Sequence, residues 1–119
     1  MTIELERISR QELKEKIDRG EDFHLVEVLP EDSFQEGHLP GAVNIPGDQL
    51  RERAPDAFPH KDAEIVVYCA NPSCEASPRA ARLLTEMGYT NVKDYAGGKE
   101  HWKEGGLPLE TGREAPQPV

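Results

Sequence analysis

A chain of 119 residues is the size of one domain and too short to bury two independent cores. Its formal net charge of -9 puts carboxylates well ahead of Lys and Arg, which argues against nucleic acid and a membrane surface as partners. Apolar residues make up 36% and charged residues 31%, but the apolar ones fall in periodic blocks, so a folded domain is expected rather than a disordered chain.

The opening MTIELERISRQELKEK lacks the apolar stretch of a secretory signal. No segment approaches the roughly 20 apolar residues of a membrane span, so the expected location is cytoplasmic. ISRQELKEKIDRG predicts a short helix ending near Gly20, with Ser9 and Glu12 as a capping box and Ile8 and Leu13 as a hydrophobic staple. FHLVEV, Phe23 to Val28, suits a strand that Pro30 cannot continue. PEDSFQEG predicts a helical turn between Pro30 and Gly37. HLPGAVNIPGDQL gives a turn at Pro40-Gly41, a short strand around Ala42 to Ile45 and a helix beginning near Asp48.

AEIVVYC has no polar alternation after Glu64, the signature of a strand buried on both faces at the centre of a parallel sheet. A helix follows, with Ser77 as the expected N-cap, Pro78 at the first position, Ala80, Leu83, Leu84 and Met87 on one face, and Gly88 as its stop. NVKDYAGG reads as a last strand and GKEHWKEGG as a terminal helix, while LPLETGREAPQPV is Pro-rich and non-periodic. Strands alternating with helices give an α/β domain with a mainly parallel central sheet flanked by helices.

Both cysteines, Cys69 and Cys74, fall in the loop between the buried strand and the helix after it. In a compartment that keeps thiols reduced they are buried fillers or reactive groups. Ligands of open α/β sheets bind beyond the carboxyl ends of strands, and Cys69 sits there, just before a helix N-terminus whose free N–H groups and dipole favour anions. A thiol so placed is expected to fall from its ordinary value near 8.5 into the range of about 3.5 to 7.5. Cys69 is then a nucleophile, and the curled loop a cradle for a small oxyanion.

The succession EGHLPGAVNIP, VVYCANPSCEASPRAARLL and MGYTNVKDYAGGKEHWKEGGLPLE resembles a single-domain rhodanese over Ile8 to Glu110. Gly37 to Ala42 correspond to that family's turn before its short strand, and Gly97-Gly98 and Trp102 to its ending. The resemblance implies a rhodanese-like three-layer domain over residues 1–110, followed by a Pro-rich tail over 111–119. It also places the catalytic cysteine at Cys69 and implies a two-step sulfur transfer. The Cys69 thiolate takes the outer sulfur of thiosulfate or a persulfide donor, and a thiol or cyanide-like acceptor removes it. Backbone N–H groups of the loop Ala70, Asn71, Pro72, Ser73, Cys74, Glu75, Ala76 and Ser77 (Pro72 having none) would hold the anion, and no metal or organic cofactor is required.

Three departures stand out. Glu27-Val28-Leu29 keeps an acid where many members have Asp-x-Arg but loses the arginine, and with it a positive charge near the core polar network. The loop is longer by about two residues, and the arginine that this fold's phosphatase relatives place six residues after the cysteine is here Glu75, expected to face solvent. Arg79 or Arg82 would substitute only by folding back.

The third departure is Cys74, close enough in sequence for a curled loop to bring it within disulfide reach of Cys69. It would resolve a Cys69 persulfide and leave a disulfide for a thioredoxin-type reductant. Two other classes therefore stand beside sulfur transfer: a dithiol redox protein using Cys69 and Cys74, and a non-catalytic binding module on the same fold. His24, His38, His60 and His101 show no ligand spacing with the cysteines, so no zinc site is expected. His101 and Trp102 are candidates for the pocket's border.

Overall fold

A computed structural model describes residues 5–111 of the chain. The order of elements is β1 (Glu6–Arg7), α1 (Arg10–Asp18), β2 (His24–Glu27), α2 (Glu31–Glu36), β3 (Val43–Asn44), a 3-10 turn (Gly47–Gln49), α3 (Leu50–Ala57), β4 (Ile65–Tyr68), α4 (Ala76–Glu86), β5 (Val92–Tyr95) and α5 (Gly98–Glu104). The five strands form one parallel sheet in the order β1-β5-β4-β2-β3. This is the α/β architecture the alternating pattern predicts. β1 has no sequence signal: two exposed charged residues pair in register with Lys93 and Asp94, and the Glu6 carboxylate lies 3.8 Å from the Lys93 amine.

β4 is central and wholly buried, as its unbroken apolar run requires. Its alternate side chains feed two cores. Ile65, Val67 and Cys69 pack with Val26, Leu50, Leu84 and Tyr89 on the face covered by α3 and α4. Val66 and Tyr68 pack with Leu13, Phe34, Tyr95 and Trp102 on the opposite face. The sheet thus presents the end of β4, with Cys69, between helices from both sides.

Local signals explain most boundaries. Ser9 caps α1, accepting from the Glu12 backbone N–H at 3.1 Å, as the capping box predicts. Gly41 and Gly88 take left-handed backbone at the turns expected of them. Pro55 lies inside α3, in its second turn, where the sequence alone gives no helix end. Ser77 is a correction: α4 begins at Ala76 with Glu75 at the cap position, so Ser77 is already helical. The cap position falls two residues earlier than expected, and the Ser77 hydroxyl turns inward to the Cys69 sulfur instead of outward to the helix amides. All but Thr111 of the predicted Pro-rich tail lies outside the described residues.

Candidate active site

Cys69 ends β4 with 1% of its surface exposed. Its sulfur lies 3.5 Å from the Ser77 hydroxyl and 3.5 Å from the Cys74 carbonyl oxygen, so the loop closes directly over it. Cys74 is half-buried against the same core, and both thiols are free. The structure therefore brings the two cysteines together, as the five-residue spacing allows.

The expected lowering of the Cys69 thiol is overturned. Burial pushes it up to about 11, the Cys74 side chain adds to the rise, and Ser77 opposes it. Cys74 moves the other way: burial raises it, but a hydrogen bond from Cys69 and backbone N–H groups of Ala76, Ala70 and Ser77 outweigh that and lower it. The backbone N–H groups at the start of α4 are shared between the sulfurs: Ala76 and Ser77 reach Cys74, and Ser77 reaches Cys69 as well, where burial outweighs it. Sequence position identifies these amides; it does not say how burial weighs against them.

Two other loop amides are spent internally. Ser73 N–H donates to the Asn71 side chain at 3.0 Å and Cys74 N–H to the Asn71 carbonyl at 3.1 Å, an Asx turn that tightens the added residues. Glu75 faces solvent and pairs with Arg79 at 3.2 Å, both about three-quarters exposed. Neither Arg79 nor the exposed Arg82 folds back over the sulfur. The bidentate clamp of a phosphatase is not assembled here.

The base of the loop is held from the far side by α5. Lys99 N–H donates to the Cys69 carbonyl at 3.0 Å and Glu100 N–H to the Ala70 carbonyl at 2.9 Å. This approach needs Gly98, whose φ is +66° and where an added Cβ would lie 2.5 Å from the Cys69 oxygen. Beside it opens a cleft of about 650 Å³, lined by Ala70, Asn71, Lys99, Lys103, Glu36 and Glu104 among others. Smaller space, about 250 Å³, lies on the other flank between Asp48 and Arg79.

The charge lost with the family arginine is restored by a residue that sequence reading missed. Lys99 reaches back across the sheet end to the buried Glu27 carboxylate at 3.2 Å. Burial raises the Glu27 carboxyl, and Lys99 and the Tyr68 hydroxyl oppose that rise. Trp102 is core, donating to the Pro108 carbonyl at 3.0 Å, and His101 bonds the Tyr95 hydroxyl at 2.9 Å; neither lines the cleft beside the loop. His38 is buried, stacked on Phe34 and bonded to its carbonyl. Among the described residues no three His, Cys, Asp or Glu side chains converge as metal ligands.

Comparison with known proteins agrees with this geometry. The model of the Rhodanese-like domain family matches residues 9–105. The chain is 37% identical over 105 residues to the HTH-type transcriptional regulator Rv0324 of Mycobacterium tuberculosis, covering 88% of this chain and 45% of that protein. It is 36% identical over 77 residues to the thiosulfate sulfurtransferase PspE of Escherichia coli, covering 65% and 72% respectively. The human single-domain sulfurtransferase TSTD1 superposes with a TM-score of 0.75 at 27% identity, over 85% of this chain and 97% of that one. The chain thus spans less than half of the first of these relatives and most of the other two.

Proposed function

We propose, for a chain that belongs to the rhodanese-like domain family, that it transfers sulfane sulfur through a persulfide on Cys69. The observation that carries this reading is the placement of Cys69 at the end of the central strand, beneath a loop whose amides face sulfur. Two relatives bear the names thiosulfate sulfurtransferase and putative sulfur carrier protein, which agrees with sulfur chemistry.

In the first step the Cys69 thiolate attacks the outer sulfur of thiosulfate or of a persulfide donor. A Cys69 S–S bond forms, the donor's S–S bond breaks, and sulfite or the donor thiolate leaves with the electron pair. A thiolate or cyanide then attacks the outer sulfur and Cys69 leaves as thiolate. For the donor to enter, the Cys74 side chain must vacate the amides of Ala70, Ala76 and Ser77, which then hold the persulfide. No helix among the described residues is long and apolar enough to cross a membrane.

The test is intact mass after incubation of the reduced protein with thiosulfate. Gain of one sulfur atom, lost in Cys69→Ser and kept in Cys74→Ser, supports the persulfide. A second reading, a dithiol redox protein served by a thioredoxin-type reductant, is favoured by the contact between the two sulfurs. Its mark is loss of two hydrogens with no sulfur gained; no mass change with any donor marks a binding module.

A further inference from the structure

Asp94 is a buried acid to which sulfur transfer assigns no task. It lies on β5 with none of its surface exposed, and neither carboxylate oxygen accepts a hydrogen bond of good geometry from the described residues. Leaving a buried acceptor unpaired costs about 1–3 kcal/mol, and more when it is charged. Alternation along β5 puts Asp94 on the same face as Val92, beneath α4. Ser77, in the first turn of α4, lies against it there.

The same Ser77 hydroxyl stands 3.5 Å from the Cys69 sulfur. One rotatable O–H therefore sits between a thiol and a carboxylate, all three withheld from water. The groups facing the carboxylate are Ser77 from α4, with Cys69 of β4 behind it, and Arg7 of β1. Burial raises the Asp94 carboxyl, which Ser77 and Arg7 oppose.

We propose that Asp94 is a positioning residue that accepts the Cys69 proton through Ser77. The thiol proton passes to the Ser77 oxygen as Ser77 passes its own to an Asp94 oxygen. The S–H bond breaks, a carboxylic O–H forms, and the serine is left directing its O–H at the new thiolate. The unit carries one negative charge before and after, so the thiolate never forms beside an ionised carboxylate, where like charges would oppose it. The proton stays on Asp94 through both sulfur-transfer steps. This rests on Cys69 being the nucleophile.

Two acids sharing one proton titrate as a pair, and within the singly protonated form the fraction present as thiolate does not depend on pH. The experiment is the rate of iodoacetamide alkylation of Cys69 from pH 6 to 10, in a Cys74→Ser background with one thiol, compared with Asp94→Asn and Ser77→Ala on that background. The expected profile of the background protein is nearly flat, under about threefold per unit, over at least one pH unit near neutrality. Both variants should lose that plateau and rise about tenfold per unit up to the thiol's own pKa. Parallel profiles in the three proteins, whatever their height, overturn the proposal; should Asp94→Asn not fold, Ser77→Ala decides alone. Alkylation reads the thiol itself, so failure of sulfur loading from thiosulfate is a separate result.

Discussion

Lys99 Nζ lies 3.2 Å from Glu27 Oε2 and donates at 2.8 Å to each of the Ser33 and Gly37 carbonyls. The other Glu27 oxygen accepts from the Tyr68 hydroxyl at 3.0 Å, and that hydroxyl accepts from Leu39 N–H at 3.1 Å. One amine thus ties α5, which supports the loop, to β2 and to the end of α2. The cation that the family's arginine supplies from the second strand comes here from the last helix.

Lys99→Met should therefore cost about 3–5 kcal/mol, because it strands a buried carboxylate and two carbonyls. Burial already raises the Glu27 carboxyl. A carboxyl raised in the folded state contributes stability below its unfolded value and loses it as pH rises through the folded one. Removing the lysine raises it further, so the deficit of Lys99→Met should be larger at pH 7 than at pH 4. Urea unfolding of Glu27→Gln, Lys99→Met and the double variant checks the coupling; strictly additive losses would refute it.

Gly98→Ala tests the loop's support. Its Cβ would meet backbone atoms of Cys69, Ala70 and Asn71 at 2.5 to 2.8 Å, none of which can step aside alone. Sulfur loading should fall at least about tenfold, with a stability loss of about 1–3 kcal/mol. Gly41 also has positive φ but open space around it, so Gly41→Ala should cost only about 1 kcal/mol and leave loading intact. Equal loading by both variants would mean that the α5 contact does not position the loop.

Periodicity and punctuation made nearly all of this fold legible. The unbroken run at β4 gave the sheet's centre, and Ser9, Pro30, Gly37 and Gly88 gave helix ends, because these signals act through local backbone physics. What stayed illegible depends on contacts distant in sequence. Lys99 is 72 residues from its partner Glu27, and no spacing rule links them. Ser77 looked like a cap because Ser before Pro often is one; the helix starts at Ala76 instead, and the Ser77 hydroxyl faces Cys69. The thiol shift was misjudged for a related reason, since burial under the loop outweighs the Ser77 groups that reach Cys69 from the helix N-terminus.

That distinction has a chemical consequence at the two cysteines. In the resting protein Cys74 is the more exposed thiol and is lowered, whereas Cys69 is pushed up to about 11. Limited iodoacetamide at about neutral pH should label Cys74 first, as read by peptide fragmentation. In Cys74→Ser the neighbouring sulfur that helps raise Cys69 is gone, so its thiol should ionise below about 11. First labelling at Cys69 would show that its sulfur is open and ionised at rest, contrary to the closed loop.

Glu64 offers a stability prediction away from the site. Its two oxygens receive Lys16 at 2.9 Å and Lys93 at 2.5 Å, on side chains less than one-fifth exposed. Burial alone would raise the Glu64 carboxyl, but the two lysines outweigh it and hold it below the usual value. A carboxyl lowered in the folded state contributes stability above its unfolded value, about 4.3, and loses it as pH falls through the folded one. Glu64→Gln should therefore cost about 1 kcal/mol at pH 7, with Lys16 and Lys93 left facing each other's charge. The difference in Tm should close as pH falls below about 4. A gap that holds constant down to pH 3, well under the carboxylate range of about 4, would mean that Glu64 acts through packing and not through its charge.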